Sequence, residues 1–437
     1  MASSSRRARV AAIARARPTA RRRARARRRL SPRARANAAE DDVDALGFSK
    51  LDWARVRTPA RYLGNEVGAF RAPWDARDGV EARFCVAYPE TYEVGASNLG
   101  HVVLYTVLNQ TPGTMCDRAY LPADDMIELM RARDAPLFAV ESKRGLAEFD
   151  AVGLSVAYEL GAINILEMMH LARIPLTWEA RDDAPDRPWN VEENGSWPMV
   201  FAGGPTATSN PEPFAAFLDF VCLGDGEDVL PEIAESIKRS KREKLTREET
   251  LFRLAVDVEG IYVPRFYDAP PGWGGAVFPV REGVPARPKR RVAMPDPMLQ
   301  IGLVPYVETV HDRMTVEIRR GCTRGCRFCQ PGMLTRPARD VDPDRVVQAV
   351  EEGIQKTGYN EFSLLSLSCS DYLALPAVGL EIKNRLKNDN VTLSLPSQRI
   401  DRFDDSIADI LGGGGKVGLT FAPEAGTQRL RDIINKG

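Results

Sequence analysis

Thr315-Val316-Glu317-Ile318-Arg319-Arg320-Gly321-Cys322-Thr323-Arg324-Gly325-Cys326-Arg327-Phe328-Cys329-Gln330 decides how this chain is read. Its first four residues alternate and are largely β-branched, which predicts a strand over Met314–Ile318. Three cysteines then fall within eight residues, spaced C-x3-C-x2-C. Thiolates hold iron–sulfur clusters, and a cubane cluster usually takes four of them. Three on one tight loop leave one iron open to bind something else. Gly321 and Gly325 allow the loop to curl through φ > 0. Arg319, Arg320, Arg324 and Arg327 suit a bound anionic cofactor. The competing reading is a zinc knuckle or three core cysteines. Zinc takes four ligands, usually as paired sets. No second Cys/His pair follows, and the chain has only three histidines, His101, His170 and His311. A helix pattern, Pro343 to Lys356, comes after the loop. Strand, functional loop, then helix is how α/β barrels place their active sites.

With Phe328 just before the last cysteine, this loop resembles the signature of the radical S-adenosylmethionine (SAM) superfamily. The resemblance implies that Cys322, Cys326 and Cys329 hold a [4Fe-4S] cluster. It implies that the open iron is chelated by the amino and carboxylate groups of SAM, with Phe328 near the adenine. It further implies reductive cleavage of SAM, and an electron donor such as ferredoxin or flavodoxin.

The 437 residues are 44% hydrophobic and 27% charged, enough for two or three domains with a sizeable core. No apolar run approaches the length of a membrane span, so no membrane partner is expected. The net charge of zero conceals an asymmetry. Residues 1–39 hold fourteen arginines, no lysine and no acid. Taking those from the 60 basic residues leaves 46 against 60 acidic ones, a net of −14 for the remainder. An Arg-rich, acid-free, Ser-bearing head predicts an organelle transit peptide rather than a nucleic-acid-binding arm. Cleavage is expected near Ala36–Glu40. The start Met1-Ala2-Ser3-Ser4-Ser5 favours chloroplast over mitochondrion. Seven cysteines, three of them clustered, do not suggest a disulfide framework. Cys85, Cys116, Cys222 and Cys369 are expected as small buried hydrophobes, with Cys369 nearest the site.

Residues 40–80 read as an extended lead-in arm packing on the next domain. Residues 81–240 alternate strand and helix patterns, which predicts a doubly wound parallel sheet. Strands are predicted at Arg83–Ala87, Ala151–Val156, Met199–Ala202 and Phe217–Leu223. Helices are predicted at Asn98–Asn109, Ala123–Arg133, Leu160–Ala172 and Asp228–Arg239. Loops at Tyr88–Gly95, Gly203–Pro205 and Gly224–Glu227 then lie at strand ends, where such sheets bind ligands. Taken together these loops resemble the Rossmann-like, B12-binding-type domain that often precedes a radical SAM core. The stretch YPETYEVG, followed by Leu99-Gly100, is similar to an uncharacterised subfamily with such an amino-terminal domain. Base-off cobalamin domains carry Asp-x-His-x-x-Gly, which is missing here. No histidine sits in that register and His101 falls within the helix that follows, so axial histidine ligation and tight cobalamin binding are not expected. Residues 241–311 read as an interdomain connection with a short hairpin.

Residues 312–437 repeat strand–loop–helix four times. The strands are Met314–Ile318, Glu361–Leu367, Val391–Leu395 and Lys416–Phe421. The helices are Pro343–Lys356, Leu375–Asn388, Phe403–Leu411 and Thr427–Asn435. The fold class is α/β: a Rossmann-like, B12-binding-type domain, then an incomplete radical SAM (β/α) partial barrel. The superfamily core has six units, so the chain reads as truncated after four. Strand ends supply the remaining site. By resemblance, Ser368, Ser370 and Asp371 after the second strand face the SAM amino group. Ser397 and Arg399 after the third suit its carboxylate, and Glu424 after the fourth suits the ribose. Each is equally a helix-capping residue by type. The function implied is a radical SAM enzyme acting on an unread substrate, RNA or protein, by methyl or methylthio transfer. The alternative is a non-catalytic cluster-bearing or assembly protein.

Overall fold

The structure, a computed structural model, describes residues 43–74, 78–182, 184–270, 272, 274–396, 398–411 and 421–436. The transit peptide, Ser397 and all but Phe421 of the predicted fourth barrel strand lie outside the described residues. The chain forms two compact units: residues up to 65 with 70–292, and residues 66–69 with 293–437. No helix among the described residues is long and apolar enough to cross a membrane.

The first unit is built on a six-stranded sheet: β1 Ala82–Tyr88, β2 Thr114–Tyr120, β3 Ala151–Ser155, β4 Met199–Gly203, β5 Phe220–Cys222 and β6 Ile261–Tyr262. The order is β2-β1-β3-β4-β5-β6. The first five strands run parallel, and β6 pairs antiparallel with β5. Order 2-1-3-4-5 reverses direction between β1 and β3, the switch point at which doubly wound sheets open a crevice. Here the two loops at that point are bridged. Tyr158 donates to Glu90 Oε1 at 2.9 Å, and Asn164 Nδ2 donates to Pro89 O at 2.8 Å. Helices α1 Leu99–Gln110, α2 Asp124–Ala132, α3 Ala162–Leu171, α4 Val229–Arg242 and α5 Arg247–Asp257 accompany the sheet. The predicted helices correspond to α1 to α4 within a few residues.

Strand β2 was not expected, and its sequence explains why. Asp117 and Arg118 stand mid-strand and are fully buried. Their partners come from the chain after α2. Asp117 accepts from the Glu141 and Ser142 amides at 3.0 and 2.8 Å, and Arg118 pairs with Glu141. Buried charge is tolerated only with such pairing. Residues 241–311 hold more than a connection. A capping box between Thr246 and Glu249 starts α5, and Ile261–Tyr262 adds the sheet's sixth strand. The hairpin is present, with Tyr267–Asp268 paired to Phe278–Pro279. From the segment read as a lead-in arm, Phe48, Val56 and Tyr62 enter the core of this unit, and Tyr62 Oη accepts from the Ala123 amide at 3.1 Å. That segment is not extended throughout: a short helix covers Lys50–Trp53, and residues 66–69 belong to the second unit.

In the second unit, β7 Met314–Glu317, β8 Glu361–Leu365 and β9 Thr392–Ser394 form a parallel sheet in sequential order. Helices α6 Pro343–Thr357, α7 Leu375–Arg385, α8 Asp405–Leu411 and α9 Gln428–Ile433 follow. Neighbouring strands in chain order, each followed by a helix, are the start of a (β/α) barrel. Met314, Val316, Phe362 and Leu364 pack with Val346 and Val350 of α6 in its core.

Candidate active site

The cysteine loop is an excursion from the end of β7, closed at its base. Arg319 and Arg320 pair antiparallel with Asp340 and Arg339. Beyond this short ladder, Val341 N–H donates to Ile318 O at 3.0 Å. Gly321 sits at the crossing with φ +84. A Cβ there would meet Thr335 O at 2.5 Å and Pro337 O at 2.8 Å, so only glycine fits. Within the loop Cys322 and Cys326 are buried and Cys329 is half-buried. Two of the sulfurs accept backbone hydrogen bonds: Arg324 N–H to Cys322 Sγ and Gly332 N–H to Cys329 Sγ, each 3.4 Å. A Cβ on Gly332 would come within 3.2 Å of Cys329 Sγ and 3.9 Å of Cys322 Cβ. The loop therefore brings these two cysteines to one spot over a residue without a side chain.

The strand end after β8 reaches the same loop through Asp371, and the end of β9 reaches the end of β8 through Ser370. Asp371 forms a bidentate ion pair with Arg324, Nε to Oδ2 at 3.1 Å and Nη2 to Oδ1 at 2.6 Å. Ser368 donates to Asp371 Oδ2 at 2.8 Å. Burial opposes ionisation of this carboxyl, but the bonds from Arg324 and Ser368 outweigh it and hold its pKa below the usual carboxylate value. Ser370 Oγ donates to Gln398 Oε1 at 2.8 Å and accepts from the Arg399 amide at 3.0 Å. The Arg399 guanidinium lies 2.9 Å from Asp401 Oδ1.

Chain after α8 also docks on the loop. Arg327 N–H donates to Ile434 O at 3.0 Å, and Asn435 Nδ2 donates to Gly325 O at 2.8 Å. Lys436 stands 5.8 Å from the exposed ring of Phe328 and 3.5 Å from Glu424. Ser368, Ser370, Asp371 and Arg399 thus gather on one network with the cysteine loop. Phe328 and Glu424 gather on a second one through Lys436.

One expectation changes on this geometry. Of the four arginines assigned to an anion, three are committed to carboxylates: Arg319 to Asp340, Arg320 to Glu317 and Arg324 to Asp371. Cys369 is buried just after β8, as expected. Its buried thiol donates to Leu364 O at 3.2 Å inside the core. Gln398 was missed by the sequence reading. It is 7% exposed, and its Nε2 has no hydrogen-bond partner beside Ser370. Nothing but its position, between two residues already singled out, pointed to it.

Residues 100–264 match the family described as Radical SAM proteins, N-terminal, and residues 316–437 match the Radical SAM superfamily. The chain is a radical SAM superfamily protein. An uncharacterized protein of Methanocaldococcus jannaschii is 25% identical over 363 residues, which are 80% of this chain. The chain spans 62% of that relative's length. Two structures of the radical SAM methyltransferase TsrM from Kitasatospora setae also match, one with tryptophan substrate and a SAM analogue, the other with cobalamin and a [4Fe-4S] cluster. They are 15% and 16% identical, cover 80% and 76% of this chain and 60% and 57% of their own chains, with TM-scores of 0.49 and 0.45.

Radical SAM membership implies a [4Fe-4S] cluster and SAM, and the residues present fit a cluster. Among the described residues no group of three His, Cys, Asp or Glu side chains converges on a single ion. A cubane does not ask for that, since each thiolate binds a different iron. Three thiols on one loop, two of them already accepting backbone N–H bonds, are the donor set it needs. Histidine ligation of a cobalamin finds no such fit at His101. That ring lies in α1, 1% exposed, between Tyr88 and Tyr120 at 5.7 and 5.3 Å.

Proposed function

We propose that this chain is an enzyme that cleaves SAM reductively to start radical chemistry. A closed loop carrying three cysteines, tied to polar strand ends, carries the reading. Cys322, Cys326 and Cys329 would hold the cluster. When bound and reduced, the cluster supplies the single electron for SAM cleavage. The chain's own residues shape what surrounds it. Arg324 and Gly332 amides donate to two sulfurs, which disperses their charge. Gln398 and Arg399 line the end of β9 beside Ser370. Phe328 offers an exposed ring from the loop itself. We assign methyl or methylthio transfer to RNA or protein as the reaction class on the superfamily resemblance alone, with ferredoxin or flavodoxin as electron donor. The test is anaerobic reconstitution with iron and sulfide, reduction with dithionite, and assay for 5′-deoxyadenosine. Its formation from SAM, lost in Cys326→Ala, supports the reading. A brown, iron-loaded chain that leaves SAM intact contradicts it and favours the non-catalytic cluster protein.

A further inference from the structure

Superfamily resemblance alone assigns Asp371 to the SAM amino group. The structure gives its carboxylate other work. Both oxygens face the Arg324 guanidinium in side-on, bidentate geometry, and Oδ2 also accepts from Ser368. The Asp371 side chain is 8% exposed. A charge-assisted fork of this kind fixes direction as well as distance, and it holds more strongly in a site shielded from water than on a surface.

The placement of Arg324 gives the ion pair its consequence. Arg324 lies between the first two cysteines, and its amide donates to Cys322 Sγ. Its carbonyl accepts from Arg336 Nη2 at 2.9 Å, across the loop. Its side chain ties the loop to the end of β8, one whole unit later in the barrel. At the loop's base Arg319 Nη1 also donates to Asp371 O at 3.2 Å, a bond to the backbone that the Asp371 side chain does not make. Releasing the Arg324 guanidinium releases the residue whose amide is bonded to the first sulfur. Partners of metal ligands at one remove set ligand orientation in this way. We propose that Asp371 is a positioning residue for the cysteine loop, acting through Arg324, and not a contact to bound SAM. The proposal rests on the cluster reading given above.

Three full-length variants test it: Asp371→Asn, Arg324→Gln and the two combined. Hydrogen–deuterium exchange on the metal-free chain reads the tie directly. Exchange over residues 321–330 should rise alike in all three, while α6 stays protected as the control for folding. After anaerobic reconstitution, loss of iron to bathophenanthroline should speed up on the order of tenfold. The double variant should be no worse than either single one, as for two halves of one interaction. The change that SAM makes in the spin-resonance spectrum of the reduced cluster should persist in all three. Unchanged exchange at 321–330 overturns the proposal. So does a SAM-dependent change abolished by Asp371→Asn but kept by Arg324→Gln, because that pattern makes Asp371 a ligand contact. A wild-type chain that takes up no iron overturns the function proposed above, and the exchange arm still decides the tie.

Discussion

His101 is held where a proton would be costly. Its ring is buried between Tyr88 and Tyr120, neither nitrogen has a hydrogen-bond partner, and Arg118 of β2 stands near. Burial first, then the Arg118 charge, push its pKa down from 6.5 to about 3. Between those values the unfolded chain binds the proton and the folded chain does not. Stability should therefore be full above pH 6.5 and fall on acidification, by about 1.4 kcal/mol per pH unit. Denaturant melts at pH 6.5 and pH 5 should differ by about 2 kcal/mol from this residue alone. His101→Phe keeps an aromatic ring and removes the titration, so its melts should lose that part of the difference. An unaltered slope in the variant would place the acid sensitivity elsewhere. Sequence reading put His101 inside a helix and out of cofactor ligation, because it stands outside the Asp-x-His-x-x-Gly register. The tyrosines that seal it come from the ends of β1 and β2, a packing that only the fold supplies.

At the scale of the element, the cysteine loop is held by geometry at its neck. Gly321→Ala would drive a methyl group into Thr335 O and Pro337 O at a left-handed φ. Neither neighbour is a side chain that can swing away. The substitution should cost about 1–3 kcal/mol locally and cut the iron that the loop takes up on reconstitution by at least about half. Gly426→Ala, with open space around it, is the control. Equal iron in both variants would show that the neck does not need this closure. Apolar strands and amphipathic helices were legible: β1, β3, β4, β5 and α1 to α4 in the first unit, β7 to β9 and α6 to α9 in the second. Their periodicity is local. Strand β2 was not, because Asp117 and Arg118 read as surface residues until Glu141, twenty-three positions from Arg118, neutralises one of them. Helix α5 could have been found from Thr246 and Glu249, whose spacing is that of a capping box. The tie between Arg324 and Asp371 joins residues forty-seven positions apart. Sequence singled out both residues and could not pair them.

On the scale of the whole molecule, one chain carries two α/β units of different charge history from its own head. The fourteen arginines of residues 1–39 precede a remainder with a net charge of −14. We propose import into a plastid, with removal of the head near Ala36–Glu40. Mass spectrometry of the amino terminus from purified chloroplasts should find no peptide from the first 35 residues. An intact Met1 terminus there would contradict it. The central claim is that Cys322, Cys326 and Cys329 together hold one iron–sulfur cubane. Iron and zinc quantitation on anaerobically reconstituted chain, wild type against each single Cys→Ala variant, tests it most directly. About four irons per wild-type chain are expected, lost in the variants at 322, 326 and 329 and kept in Cys369→Ala. One zinc per chain in place of iron, or full iron in any of the three loop variants, would contradict it.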